Sequence, residues 1–105
     1  MSFFHIAIIK DPNKLIAEYI YRKHKLFKVM KALVKRATKP GKVSFKYKDK
    51  VVINLIKKDK FIAIGITTID YPIENTFQCL EEVLRIFKLD YSFINKLSVI
   101  QKTEL

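Results

Sequence analysis

Three apolar segments separated by very short polar breaks constrain the fold of this chain more than any other feature. The segments are residues 42–47, 51–56 and 61–66. Breaks of three or four residues are typical of β-hairpin loops, so the region predicts an antiparallel meander. The first segment alternates apolar and polar residues, as expected for a strand with one solvent face. The other two are almost unbroken apolar runs, which indicates strands that are covered on both faces.

A proline-led turn and an amphipathic helix follow the meander. After Asp70, Tyr71 and Pro72, large apolar residues recur at helical spacing, at Ile73, Phe77, Leu80, Leu84 and Phe87. The charged residues Glu81, Glu82, Arg85 and Lys88 point away from this stripe. Burying one such apolar side chain is worth roughly 1.5–3 kcal/mol, against about 5–15 kcal/mol for the stability of a whole domain. We therefore expect the helix to pack on the sheet.

The N-terminal part predicts a hairpin and then a helix. Residues 3–10 have strand composition, residues 11–13 (Asp-Pro-Asn) have turn chemistry, and residues 15–21 form the expected return strand. A helix beginning at Pro12 is the less favoured alternative. Residues 23–38 show helical periodicity, and the helix should end by Lys39 because Pro40 follows. A last short helix is expected over residues 91–101.

Length and composition indicate one domain, residues 1–105, with a single core. Half of the residues are apolar, which excludes a wholly disordered chain. Cys79 is the only cysteine, and we expect it to be a buried thiol in a reducing compartment. No apolar run approaches the ~20 residues that cross a bilayer, and the N-terminus lacks signal-peptide features. The sequence therefore predicts a soluble, cytosolic chain.

The residues needed for catalysis or for a cofactor are few. There are two histidines, His5 and His24, and two glycines, so neither a metal site nor a glycine-rich phosphate loop is expected. Glu81 and Glu82 are adjacent, which places them about 100° apart on a helix and disfavours a paired acid and base. A Cys79 thiol beside an apolar stripe stays protonated. We predict no enzyme activity and no cofactor.

Positive charge is concentrated in the first part of the chain. Residues 1–69 hold 17 Lys or Arg and 4 Asp or Glu, whereas residues 70–105 hold 4 and 6. Lysines of the predicted first helix are candidates for contact with an anionic surface such as a membrane, namely Lys28, Lys31, Lys35 and Lys39. Ordinary surface lysine is an equal explanation. Nucleic-acid binding is disfavoured, because Phe45 and Tyr47 lack the internal glycines of an RNA-recognition strand.

The order of elements, with certain core residues, resembles the longin domain. The resemblance rests on Ile64, Ile66 and Thr67 in an I-x-I-T strand, on Asp70 and Tyr71 in the turn, and on Phe77, Leu80, Val83 and Phe87 in the helix. Thr76 departs from the small apolar residue usual before the helix phenylalanine. The resemblance implies an α/β fold, longin or profilin-like, with a mixed five-stranded sheet, helices on both faces and the order β-β-α-β-β-β-α-α.

The same resemblance implies a function in vesicle traffic. It suggests the regulatory domain of an R-type SNARE on the cytosolic face of endomembranes, binding its own SNARE segment, a cognate SNARE helix or a sorting adaptor. The implied groove lies between the first helix and the first strand of the meander, and its candidate residues are Phe27, Met30, Val34, Val43 and Phe45. The alternatives are a small subunit of a tethering or coat complex and a basic nucleic-acid-binding module.

Overall fold

The computed structural model describes residues 3–10 and 14–87, which form five strands and two helices. The helices are α1 (Phe27–Arg36) and α2, which covers residues 73–87 of the described part. The strands are β1 (Phe3–Lys10), β2 (Lys14–Ile20), β3 (Gly41–Tyr47), β4 (Val51–Lys58) and β5 (Phe61–Thr68). The order β-β-α-β-β-β-α is confirmed over this range. The predicted turn at residues 11–13 and the predicted helix at residues 91–101 lie outside the described residues.

The five strands form one sheet in the order β2-β1-β5-β4-β3. All four pairs of neighbouring strands are antiparallel. The α/β class and the number of strands are confirmed, but the prediction of a mixed sheet is wrong. The difference arises at the contact of β1 with β5, where Ile6 lies opposite Gly65. These two strands are far apart in the sequence, so no local pattern determines their relative direction.

Helix α1 covers one face of the sheet. Its buried residues Met30 and Val34 belong to the same core cluster as the side chains that β1, β4 and β5 direct to this face. The sheet side of the cluster consists of Ala7, Val51, Ile53, Leu55, Ile62, Ile64 and Ile66. Because alternate residues of a strand share a face, these positions follow a period of two along each strand.

Helix α2 covers the other face through the fully buried Leu80 and Leu84. They pack with Ile6, Ile8, Ile56 and Ala63. Gly65 makes this approach feasible, because a Cβ atom there would lie 3.1 Å from the Phe3 ring and 3.3 Å from the Leu80 side chain. With a helix on each face, β4 and β5 are buried on both sides, which explains their nearly unbroken apolar sequences.

Two details of the helices differ from the sequence prediction. Helix α1 begins at Phe27 and not at residue 23, because residues 23–26 form an irregular segment in which the Leu26 backbone N–H bonds to the His24 ring. Ile73, predicted to join the buried stripe of α2, is 46% exposed. The apolar side chains of α2 that pack against the sheet begin one turn later, at Phe77.

A buried polar residue interrupts the α2 face. Asn54 is completely buried, and its side-chain amide has no hydrogen-bond partner among the described residues. The hydroxyl of Thr67, on the neighbouring strand β5, also has no hydrogen-bond partner among the described residues. Leaving such groups without partners costs about 1–3 kcal/mol each. Apolar packing by α2 must therefore supply the stability of this face.

We predict that Leu84→Asp unfolds the domain. Leu84 is 1% exposed, and a buried carboxylate without a partner is strongly destabilising. Ile86→Asp is the matched control, because it makes the same kind of change on the same helix at a side chain that is 46% exposed. Circular dichroism melts of both variants test this. An unchanged melting midpoint for Leu84→Asp would contradict the assigned packing of α2.

Candidate functional site

Helix α1 lies on the sheet between the two edge strands and therefore has two flanks. We call the surface between α1 and the β1–β2 hairpin the β2 flank, and the surface between α1 and β3 the β3 flank. On α1, the side chains of Phe27, Lys31 and Lys35 face the β2 flank, where they line a cavity with β1 and β2. By helical periodicity Val29 and Leu33 lie on the opposite side of α1, toward β3.

The β2 flank contains a cavity of about 450 Å³. Its floor is apolar and is built from Ala7, Ile9, Met30 and Val34. At its entrance stand Leu15 and Phe27, which are 51% and 43% exposed. Phe27 also lines a second depression, together with Ile20, Lys23, His24 and Lys25. The two depressions form one surface, because they share this phenylalanine.

A chain of hydrogen bonds closes the polar end of the β2 flank. The Leu26 backbone N–H donates to His24 Nδ1 over 3.0 Å, so in the neutral His24 ring the proton lies on Nε2. His24 Nε2 is 2.9 Å from His5 Nδ1, and His5 Nε2 is 3.0 Å from a carboxylate oxygen of Glu18. Each ring therefore donates in one direction, from His24 to His5 and from His5 to Glu18. The chain joins β1, β2 and the start of α1.

The aromatic rings beside this chain are closely packed. His24 stacks on Phe27 with ring centroids 4.7 Å apart, and Phe27 also meets the edge of the buried His5 ring. Burial lowers the pKa of His24 most, the neighbouring His5 lowers it further, and Glu18 acts in the opposite direction. The arrangement favours the neutral form of His24, the form that the hydrogen-bond chain requires.

The β3 flank is an apolar strip beside an edge strand. Val43 and Phe45 lie opposite Leu55 and Ile53 of β4, so they share the α1 face of the sheet. They nevertheless remain 45% and 41% exposed, because β3 is the last strand of the sheet. On the helix side, Val29 and Leu33 are partly buried against the core. An exposed apolar strip of this kind next to an edge strand is a common docking feature.

Two lysines link the elements that border the β3 flank, one through a hydrogen bond and one through a salt bridge. Lys57 of β4 is buried and donates from Nζ to the Ala37 carbonyl oxygen, 2.9 Å away, at the C-terminal end of α1. A cation is favourable there because of the helix dipole. On the opposite face, Lys42 Nζ lies 3.0 Å from a carboxylate oxygen of Glu81 on α2. Its hydrogen bond and charge hold the pKa of Glu81 below the usual value.

The structure separates the predicted site residues into two groups. Phe27, Met30 and Val34 line the cavity of the β2 flank, whereas Val43 and Phe45 lie on β3 at the other edge of the sheet. It does not bring the five into one cavity. The four predicted surface lysines are all exposed, namely Lys28, Lys31, Lys35 and Lys39. Two of them, Lys31 and Lys35, border the β2-flank cavity.

Several residues of these flanks were not identified from the sequence. Val29 and Leu33 are found by helical periodicity once the side of α1 that faces β3 is known. Leu15 and Ile20 were included only as strand residues. The contact between His5 and Glu18 depends on the β1–β2 register, which shifts between Ile8 and Ile9, so no simple spacing indicates it.

Three further chemical features concern residues 3–10 and 14–87. In that part of the chain no cluster of three His, Cys, Asp or Glu side chains is arranged to hold a metal ion. None of the helices described there is long and apolar enough to cross a membrane. Burial raises the pKa of the Cys79 thiol, which keeps the sulfur protonated at neutral pH.

We predict that His24 makes the stability of the domain depend on pH. Its pKa in the folded state lies below the unfolded value of about 6.5, so as the pH falls the unfolded chain binds a proton first. The stabilising contribution is complete above that value and decreases as the pH falls toward the folded pKa. His24→Asn removes the titration and keeps an oxygen that can accept the Leu26 N–H.

Urea unfolding at about pH 7.5 and about pH 5.5 measures this effect. The loss of unfolding free energy between the two pH values should be smaller in His24→Asn than in the wild type. Lys25→Asn, at an exposed neighbouring position, should retain the wild-type loss. Equal losses in His24→Asn and the wild type would show that His24 does not titrate with folding.

Comparison with known proteins agrees with the fold. No curated protein matches the chain. A family model, described as the longin, regulated-SNARE-like domain, matches residues 16–101. The matched range includes most of β2, both helices and the whole meander, and it supports a SNARE-related regulatory domain in general terms. The chain belongs to the longin family.

Proposed function

We propose that residues 1–105 form a single non-catalytic docking domain of a vesicle-trafficking SNARE. In this proposal the domain works on the cytosolic face of endomembranes and binds a SNARE segment, its own or a cognate one, or a sorting adaptor. Membership of the longin family supports a SNARE-related regulatory role. The observation that carries the finer proposal is the half-exposed apolar strip on the β3 flank, formed by Val43 and Phe45 beside α1.

The strip has the apolar chemistry to hold an amphipathic segment. Val43 and Phe45 are alternate residues on the same face, so they form a row along β3. Tyr47 continues the row, with its ring centroid 6.5 Å from that of Phe45. Val29 and Leu33 border the row on the α1 side. A helical segment with an apolar stripe can pack along such a row. An extended segment can instead pair with the outer edge of β3.

Docking on this strip explains how such a domain can regulate. One strip accepts one segment at a time, so an intramolecular SNARE segment and an external partner would exclude each other. The strip also lies outside the buried core, since its side chains remain almost half exposed. Binding and release can therefore occur without unfolding the domain.

A small subunit of a tethering or coat complex is the second candidate. A subunit of this kind contacts neighbours on more than one side. The observation in its favour is that both edge strands expose large side chains, such as Tyr19 on β2 and Phe45 on β3. Absence of binding between the wild-type domain and any SNARE segment would favour this candidate over the first.

We predict that Val43→Glu abolishes SNARE-segment binding and leaves the domain folded. The carboxylate would lie within the apolar strip, where a docked segment would bury it without a partner. Ser44→Glu is the matched control, because it adds the same charge to the neighbouring exposed position on the opposite face of β3. Calorimetry with synthetic SNARE heptad segments encoded in the source genome measures affinity, and thermal melts verify folding. Equal affinities for Val43→Glu and the wild type would exclude the strip as the docking site.

A further inference from the structure

We propose that the β2 flank binds the surface of an anionic lipid bilayer. The binding surface consists of three half-exposed apolar side chains, Leu15, Ile20 and Phe27, within a ring of lysines, Lys23, Lys25, Lys31 and Lys35. This surface is separate from the β3 flank, so the inference does not depend on SNARE docking. It also extends beyond the lysines of α1 alone, because apolar side chains take part.

The charge of this part of the chain is complementary to anionic headgroups. Residues 14–39, which include β2, the following irregular segment and α1, contain nine Lys or Arg and a single acidic residue, Glu18. Glu18 accepts a hydrogen bond from the buried His5, 3.0 Å away, so one of its carboxylate oxygens is occupied within the domain. The lysines of the ring are exposed, and their long side chains can reach headgroup phosphates while the apolar residues enter more deeply.

The apolar side chains share the face required for insertion. Leu15 and Ile20 pair with Ile9 and His5 of β1, which line the cavity on the α1 face of the sheet. Phe27, at the first position of α1, connects the two depressions to which Leu15 and Ile20 belong. About half of each of these side chains is exposed. Apolar side chains surrounded by lysine are typical of proteins that insert shallowly at a bilayer interface.

The same surface is poorly suited to nucleic acid. Base stacking requires an open aromatic face, but His24 stacks on one face of Phe27 at a centroid distance of 4.7 Å. The other two apolar residues, Leu15 and Ile20, are aliphatic and offer no ring for a base. Lysine alone gives attraction to phosphate without using these side chains. A bilayer uses both the lysines and the aliphatic residues.

The hydrogen-bond chain holds this surface in shape. His24, which lines one depression, is joined to His5 and Glu18, which line the other. The Leu26 N–H bond to His24 helps to hold the irregular segment that carries Lys23 and Lys25. The surface is therefore preorganised, and little conformational freedom is lost when it contacts a bilayer.

Vesicle co-sedimentation of the full 105-residue chain at near-physiological salt tests the charge requirement. We expect binding to vesicles of phosphatidylcholine with phosphatidylserine and little binding to phosphatidylcholine alone. The double variant Lys31→Gln/Lys35→Gln should reduce partitioning roughly 25-fold, since each lysine near an anionic surface contributes about fivefold. Lys48→Gln/Lys50→Gln makes the same change in net charge in the loop between β3 and β4, at the opposite edge of the sheet from β2, and should retain nearly wild-type binding. Equal losses in the two double variants would overturn the proposal, because they would show that binding depends only on the overall positive charge of the chain.

Tryptophan fluorescence tests the insertion of the apolar side chains. The chain contains no tryptophan, so Ile20→Trp introduces a single probe on the β2 flank. Its emission should shift to the blue when phosphatidylserine vesicles are added, because the indole leaves water. Ile73→Trp is the matched control at a similarly exposed position on α2 and should not shift. Unshifted emission from the Ile20→Trp variant, in a chain that has bound the vesicles, would exclude insertion.

Competition with single-stranded RNA distinguishes the remaining class of partner. Thermal melts of each variant first establish that it is folded. Lipid binding that persists when RNA is added in excess supports the proposal. RNA that displaces the chain from vesicles, and whose own binding is reduced by Lys31→Gln/Lys35→Gln, would assign the surface to nucleic acid and overturn it.

Discussion

Apolar side chains on both faces of the central strands are the constraint on which the rest of this structure depends. Strands β1, β5 and β4 direct apolar side chains to each face, and each face must be removed from water. Helix α1 covers one face and α2 the other. The sheet is wider than either helix: four gaps of about 4.8 Å make it about 19 Å across, whereas a helix measures about 10 Å. Both edge strands are therefore only partly covered, and both flanks of α1 arise from this difference in width.

The contacts that hold α1 in place also determine the character of its flanks. At its C-terminal end, Lys57 donates to the Ala37 carbonyl oxygen from within the core. At its N-terminal end, the bond from Leu26 to His24 and the contact of His24 with His5 attach the helix to β1, and the bond from His5 to Glu18 extends this attachment to β2. Polar groups thus act at the two ends of the helix, and apolar packing acts between them. A change in the protonation of His24 acts on the N-terminal attachment and on the β2 flank that lies beside it.

Local periodicity was sufficient to predict most of the architecture. The alternation in β3, the unbroken runs of β4 and β5 and the helical stripe ending at Phe87 predicted the meander and the helix that covers it. Other features depend on contacts between distant segments. The direction of β1 relative to β5 is of this kind, and it is antiparallel, so the mixed sheet that the resemblance implied is wrong. The pairing of His5 with Glu18 depends on a register that shifts within the hairpin, and the burial of Asn54 depends on the position of α2.

The candidate site was harder to predict because a helical stripe does not indicate which of its sides faces which strand. Phe27, Met30 and Val34 belong to one apolar stripe with Leu33, yet they line the cavity next to β2. The position of α1 over the sheet determines which side of the stripe faces β2, and this position is known only from the folded structure. The 3.6-residue period then places Lys31 and Lys35 on one side of the helix and Val29 and Leu33 on the other. One short helix consequently separates a basic surface from an apolar one. In our two proposals these surfaces bind a lipid surface and a SNARE segment, and because they lie on opposite sides of α1, occupation of one leaves the other accessible.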